Sequence, residues 1–137
     1  MKVKEIEKVA KNKKGHLNKN GIKPEPNEEK TFKYLTSFGF DIDLIKPTNA
    51  DKVHNPDILI MGTIWEVKTP TSCKDNTIKN RFREASRQST KIIFDLRFIS
   101  KNVDAVEKKI LDLFKNNGRV RRLMIIRENG SLIDFIK

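Results

Sequence analysis

Two short apolar runs, Ile58-Leu59-Ile60-Met61 and Ile64-Trp65, are joined through Gly62-Thr63 and bounded by Asp57 on one side and Glu66-Val67-Lys68 on the other. This segment constrains the fold of the chain more than any other. The runs read as two short strands, and the glycine between them supplies the positive φ of a tight hairpin turn. A loop at Gly62-Thr63, with glycine at the first central position, sets Asp57 opposite Lys68 and one pleat from Glu66. A loop at Met61-Gly62 sets Asp57 opposite Glu66 itself. Either register gathers two acids and a lysine into one cluster. Because side chains alternate along a strand, Glu66 and Lys68 share a face and Val67 turns into the core.

The rest of the chain supplies layers for this hairpin to join. Phe32, Leu35 and Phe38 recur at helical spacing after Asn27, a candidate N-cap, and Gly39 ends that helix. Phe40 to Ile45 reads as the first strand, followed by a Pro47 to His54 loop. Residues 77–90 read as a helix with Ile78, Phe82 and Ala85 inward and a basic outer face. Ile92 to Leu96 is a short apolar strand interrupted only by Asp95, as expected at the centre of a sheet. A helix over Asp104 to Phe114 and a closing hairpin of Arg121 to Arg127 and Ser131 to Ile136, turning at Asn129-Gly130, complete the order. The expected fold class is therefore α/β, a mixed central sheet flanked by helices. The passage from Ile64 to Leu96 reads as a right-handed crossover that brings the Lys68 end of its strand beside the basic helix.

Length permits one domain with a single core, here residues 25–137. Residues 1–24, with eight lysines, read as a basic N-terminal arm, mobile or ordered by a partner, within which Val3, Ile6, Val9 and Ala10 would line a short helix. The net charge of +11 and pI near 9.8 point to an acidic partner, most commonly nucleic acid. The single cysteine, Cys73, excludes an intrachain disulfide and a multi-cysteine zinc site. No apolar stretch approaches the roughly 20 residues of a membrane span, and the lysine-rich start lacks the apolar core of a signal peptide.

Two carboxylates beside a lysine suit phosphodiester hydrolysis. Hard divalent cations prefer carboxylate oxygens, withdraw charge from the scissile phosphate and lower the pKa of a bound water. An adjacent ammonium stabilises the negative charge that gathers in the transition state. Lys68 serves equally well as a phosphate anchor, and Glu66 with Lys68 as a surface ion pair. His16 and His54 have no carboxylate or thiol at metal-ligand spacing, Cys73 has no activating neighbour, and Trp65 and Phe94 on apolar strands read as core. Arg81 and Gln88, two helical turns apart, share a face with Glu84 and are candidates for the scissile phosphate, with Arg83 and Arg87 on flanking backbone; a solvated helix face is the plain alternative. Thr69 either lends a hydroxyl beside the metal or ends the strand before Pro70.

Pro56-Asp57 and Glu66-Val67-Lys68 resemble the motif of the PD-(D/E)xK phosphodiesterase superfamily, the restriction-endonuclease-like fold. The resemblance implies Asp57 and Glu66 as ligands of Mg2+ or Mn2+ and Lys68 at the attacking water. Holliday-junction resolvases of this superfamily show a helix glutamate eleven positions before a Gly-Phe pair. Glu28 stands so relative to Gly39-Phe40, with Glu29 an alternative one position on. A closer resemblance rests on Trp65-Glu66-Val67-Lys68-Thr69-Pro70, Thr77-Ile78, Arg81, Ala85-Ser86-Arg87-Gln88 and Ile92-Ile93-Phe94-Asp95-Leu96-Arg97, which look like the C-terminal tRNA-nuclease domains of CdiA contact-dependent growth-inhibition toxins. That resemblance implies a bacterial toxin tip cutting tRNA in the cytoplasm of a target cell and neutralised by an acidic immunity protein. A DNA endonuclease or Holliday-junction-resolvase-like enzyme, and a non-catalytic basic nucleic-acid-binding module, are the other readings. A translation factor and a homodimer partner are further candidate partners.

Overall fold

The computed structural model describes residues 2–46 and 57–137. Pro56, His54 and the expected Pro47 to His54 loop lie outside the described residues. Eleven elements appear among the described residues: β1 (Lys4–Lys8), β2 (Leu17–Asn18), α1 (Pro26–Thr36), β3 (Ile42–Ile45), β4 (Asp57–Ile60), β5 (Thr63–Lys68), α2 (Asp75–Gln88), β6 (Lys91–Asp95), α3 (Val103–Lys115), β7 (Arg122–Ile126) and β8 (Leu132–Ile136). The mixed α/β class and the order of elements from α1 onward agree with the sequence reading. The chain divides into two compact units, Met1–Lys8 with Glu66–Lys137, and Val9–Trp65, the division falling inside β5.

In the first unit the strands run in the order β1, β8, β7, β6 and the second half of β5, with β5, β6 and β7 parallel and β8 antiparallel to both β7 and β1. Parallel strands need crossovers, and α2 and α3 supply them. Ile92 and Phe94 of β6, Leu123 and Ile125 of β7, and Ile133 and Phe135 of β8 share one sheet face. They form the core with Ile78, Phe82 and Ala85 of α2 and Val106, Ile110 and Phe114 of α3. The alternate residues Ile93, Met124, Ile126 and Leu132 are buried as well, so these strands read as continuous apolar runs. Apolar burial of this extent contributes roughly 25 cal/mol per Å2 and fixes the sheet position of β5 through its neighbour β6. Glu66 is in register with Ile92, and Lys68 with Phe94. Both charged side chains therefore project to the face that α2 covers.

The expected N-terminal helix does not form. Lys4–Lys8 is a strand on β8, with Ile6 opposite Asp134. Apart from partly buried Lys8 its residues are exposed, so main-chain hydrogen bonds and the Lys8–Asp134 and Glu5–Arg127 ion pairs hold it, and no buried periodicity announces it in the sequence.

In the second unit β2 pairs parallel to β3, and β3, β4 and the first half of β5 form an antiparallel meander. Ile60 faces Thr63, which makes Met61-Gly62 the loop. Met61 and Gly62 have φ of 51° and 79°, the two positive values of a type I′ turn. Glycine thus occupies the second central position, and the Gly62-Thr63 loop is not the one formed. Helix α1 begins at Pro26 with Glu25 as N-cap, ahead of the Asn27 cap expected from sequence. Proline at the first helical position is pre-set for helical φ and has no N–H to leave unsatisfied. Gly15 packs where a Cβ would lie 1.9 Å from the carbonyl oxygen of Phe40, so only glycine fits there.

Candidate functional site

The α2-facing side of β5 gathers charge. Lys68 Nζ lies 3.3 Å from Glu84 Oε2 and donates a hydrogen bond to it; the same ammonium is 3.9 Å from Glu66 Oε2. Glu84 also accepts from Arg81 at 3.1 Å, a bond between residues three apart on α2. Two carboxylates and two cations thus form a chain, Glu66 to Lys68 to Glu84 to Arg81. Strand alternation places the first pair on one face, parallel β5–β6 pairing fixes the strand beneath α2, and helical spacing brings Glu84 and Arg81 together. The Lys68 and Glu66 side chains are 20% and 22% exposed and Glu84 is 47% exposed, so the cluster is partly desolvated yet open to a ligand.

Glu84 is the member that sequence reasoning passed over as a mere neighbour on the Arg81 face. The signal available was its three-residue spacing from Arg81 and four-residue spacing from Gln88 on one helix side. Among the other expected residues in this unit, Thr69 follows β5 directly and is half-buried, and Gln88 is the last residue of α2 and exposed. Arg83 and Arg87 are exposed too. The structure does not set Arg83 beside Arg81: it lines a cleft between α2 and α3, since a two-residue step turns a helix by about 200°.

Asp57 and the α1 acids belong to the other unit. Asp57 is the first residue of β4, half-buried and in register with Ile45 of β3. Glu28 and Glu29 stand in the first turn of α1, where acids suit the helix dipole. Glu29 is committed to Lys19 by a hydrogen-bonded ion pair and to Lys33 at 3.7 Å. The hydrogen bond from Lys19 holds its carboxyl below the usual carboxylate value. Glu28 is half-buried in the same turn. Among the described residues no three His, Cys, Asp or Glu side chains gather as a ready cage for a metal ion. Cys73 is partly buried and meets the Asn102 amide at 3.9 Å. The backbone N–H of His16 donates to Asp41. Trp65 and Phe94 are buried, as core residues should be. No helix of the described residues is long and apolar enough to cross a membrane.

Comparison with known proteins agrees with this fold. The family model described as the contact-dependent growth inhibition CdiA C-terminal domain matches residues 54–132, more than half of the chain, and spans β4 through the start of β8. A solved structure, the CdiA-CT/CdiI toxin and immunity complex from Burkholderia pseudomallei, superposes with a TM-score of 0.65 at 16% identity, covering 90% of this chain and 100% of that one. No curated protein matches.

Proposed function

This chain belongs to the contact-dependent growth inhibition CdiA C-terminal domain family, and from that premise we propose that it is a toxic, divalent-metal-dependent nuclease of the PD-(D/E)xK type, cutting tRNA in a target cell. The observation that carries the proposal is the Lys68 ammonium held between Glu66 and Glu84 at the end of β5. The hairpin adds support, because a Met61-Gly62 loop belongs to the register that reads Asp57 opposite Glu66. The tRNA assignment rests on the run of motifs from Trp65 to Arg97.

The donor set suits Mg2+ or Mn2+. Two carboxylates, Asp57 and Glu66, with the remaining positions left to water and substrate phosphate, are how magnesium is commonly bound, without a full protein cage. When bound, the cation neutralises phosphate charge and makes a water nucleophilic near neutral pH. Glu66 and Asp57 orient that site, and Glu28 is the auxiliary acid on the strength of its eleven-position spacing from Gly39-Phe40. Lys68 stands at the nucleophilic water and offsets the charge of the phosphorane. Glu84 positions Lys68 and Arg81 through its two oxygens. Arg81 and Gln88 contact the scissile phosphate, Thr69 lends its hydroxyl beside them, and Arg83 and Arg87 contact flanking backbone.

A water attack does not use the sugar 2′-hydroxyl. The test is therefore to map the cut in tRNA and replace the ribose before it with deoxyribose. Continued Mg2+-dependent cleavage is expected, and loss of cleavage would assign the reaction to the 2′-oxygen instead. Because the same chemistry cuts DNA, a DNA endonuclease remains the second reading, and supercoiled plasmid is its substrate in the same assay. The Lys68–Glu84–Arg81 ion pairs alone would also suit a non-catalytic nucleic-acid-binding module. Under that reading Glu66→Gln leaves every nucleic acid intact, as does the unsubstituted chain.

The partner expected from the family comparison is an immunity protein, as the matched complex from Burkholderia pseudomallei contains one. With a net charge of +11 on this chain, an acidic inhibitor is favoured by charge complementarity.

A further inference from the structure

Helix α2 carries a second polar side, turned away from the Lys68 cluster. Lys79 and Arg83, one helical turn apart, lie about 200° around the helix from Arg81. They line an open cleft of about 320 Å3 between α2 and α3, across from Lys109. Asp112 is the carboxylate among the lining residues, so three cations face one acid there. Lys109 also stands 3.3 Å from Asp75 at the start of α2. At one end of the cleft, Asn117 Oδ1 accepts the backbone N–H groups of Arg119 and Val120 at 2.8 and 2.9 Å. Its carbonyl end is thus committed, and the end it offers is the donating amide nitrogen. Beyond it the Arg119 guanidinium reaches the backbone oxygen of Arg87 at 3.5 Å, which carries positive charge along to the last turn of α2.

We infer that this cleft is a second nucleic-acid contact that grips the sugar-phosphate backbone of the substrate away from the cut; the inference rests on the reading of this chain as a nucleic-acid-cleaving enzyme. Cations and an amide donor along a groove match a strand carrying one negative charge per roughly 3.4 Å of helix axis. The apolar floor argues against the other occupant, an acidic protein. Phe82 is only 2% exposed, so the cleft presents no aromatic anchor of the kind that dominates protein interfaces. The same burial leaves Phe82 unable to stack on a base. The cleft therefore binds backbone without reading sequence, and its contribution is salt-dependent.

The test uses the full chain silenced by Glu66→Gln and fluorescently labelled tRNA, with affinity followed by anisotropy over a range of NaCl concentrations. The triple substitution Lys79→Ala, Arg83→Ala, Lys109→Ala is compared with a charge-matched triple on exposed lysines, Lys30→Ala, Lys33→Ala, Lys46→Ala. The cleft triple should weaken binding tenfold or more at low salt and reduce the slope of log K against log salt by about two to three, the release expected for three phosphate contacts. The control triple should cause less than half of each change. Equal losses in the two triples, or an unchanged slope in the cleft triple, would overturn the inference. So would unaltered tRNA binding together with lost binding of poly-L-glutamate, which would make the cleft a site for acidic polypeptide. Binding by a silenced chain is read independently of cleavage, so an unsubstituted chain that cuts nothing would sink the proposed activity and leave this outcome standing.

Discussion

Around Asp134, in the middle of β8, a fully buried carboxylate is held by Arg122 at 2.7 Å and Lys8 at 3.6 Å, both cations reaching in from neighbouring strands. Around Lys68 the same residue types are arranged with partial access to solvent, the ammonium shared between two carboxylates and one of these shared again with Arg81. The difference is one of solvation. At Asp134 both cations reach Oδ2 while Oδ1 is buried without a hydrogen-bond partner among the described residues, so the carboxylate depends on those two cations, and removing one strands a buried charge. At Lys68 no member is fully buried and Glu84 and Arg81 are about half-exposed, so the pairing is worth less to stability and can exchange for a phosphate or a cation. One cluster holds strands together, and the other is the one we propose does chemistry.

The sharpest way to break this contrast is to show that both clusters respond alike. Lys68→Ala and Glu66→Gln should each lower the initial rate of tRNA cleavage by about 10²–10³-fold, while chemical denaturation shifts by less than about 1 kcal/mol. A collapse of stability in these variants would place the cluster with Asp134. Conversely, Arg122→Ala, which strands the buried Asp134 carboxylate, should cost about 3–5 kcal/mol of unfolding free energy in urea, with the folded fraction cutting at the unsubstituted rate.

Glu84→Gln sharpens the functional side. Loss of the carboxylate that positions Lys68 should lower kcat about tenfold to a hundredfold with KM held, and Glu84→Asp should recover part of the loss. An equal fall in binding alone would make Glu84 a surface residue only. The smallest effect belongs to Glu29. Its carboxyl is lowered below 4.5 in the folded chain, chiefly by the Lys19 hydrogen bond. A folded value below the unfolded one stabilises the protein above pH 4.5, and the benefit is lost as pH falls through the folded value. Glu29→Gln should therefore flatten the loss of stability below pH 4.5 slightly, measured by denaturation at stepped pH. A variant that instead steepens the acid limb would contradict the Lys19 pairing.

Much of this contrast was legible in the residues themselves. The apolar runs of β6, β7 and β8 and the helical spacings of α2 and α3 announce the core, because burial writes periodicity into the sequence. Glu66 and Lys68 were legible because two-residue spacing on a strand dictates a shared face. Glu84 was not, since its role comes from parallel pairing of β5 with β6 beneath α2, a long-range relation that local spacing does not encode. The β1 strand was missed for a related reason: Lys4–Lys8 is held by backbone bonds and ion pairs to residues distant in the chain and has no buried apolar side to betray it. Of the two hairpin loops the sequence left open, the structure takes Met61-Gly62, in which Met61 accepts a positive φ that residue preference alone disfavours.

The most direct test incubates the purified chain with total tRNA and, separately, with plasmid and branched DNA, in Mg2+ or chelator, with Asp57→Ala as the control. The account predicts Mg2+-dependent loss of tRNA alone, abolished in the variant. Cleavage that persists in Asp57→Ala or in chelator, or that falls on DNA and spares tRNA, would contradict it.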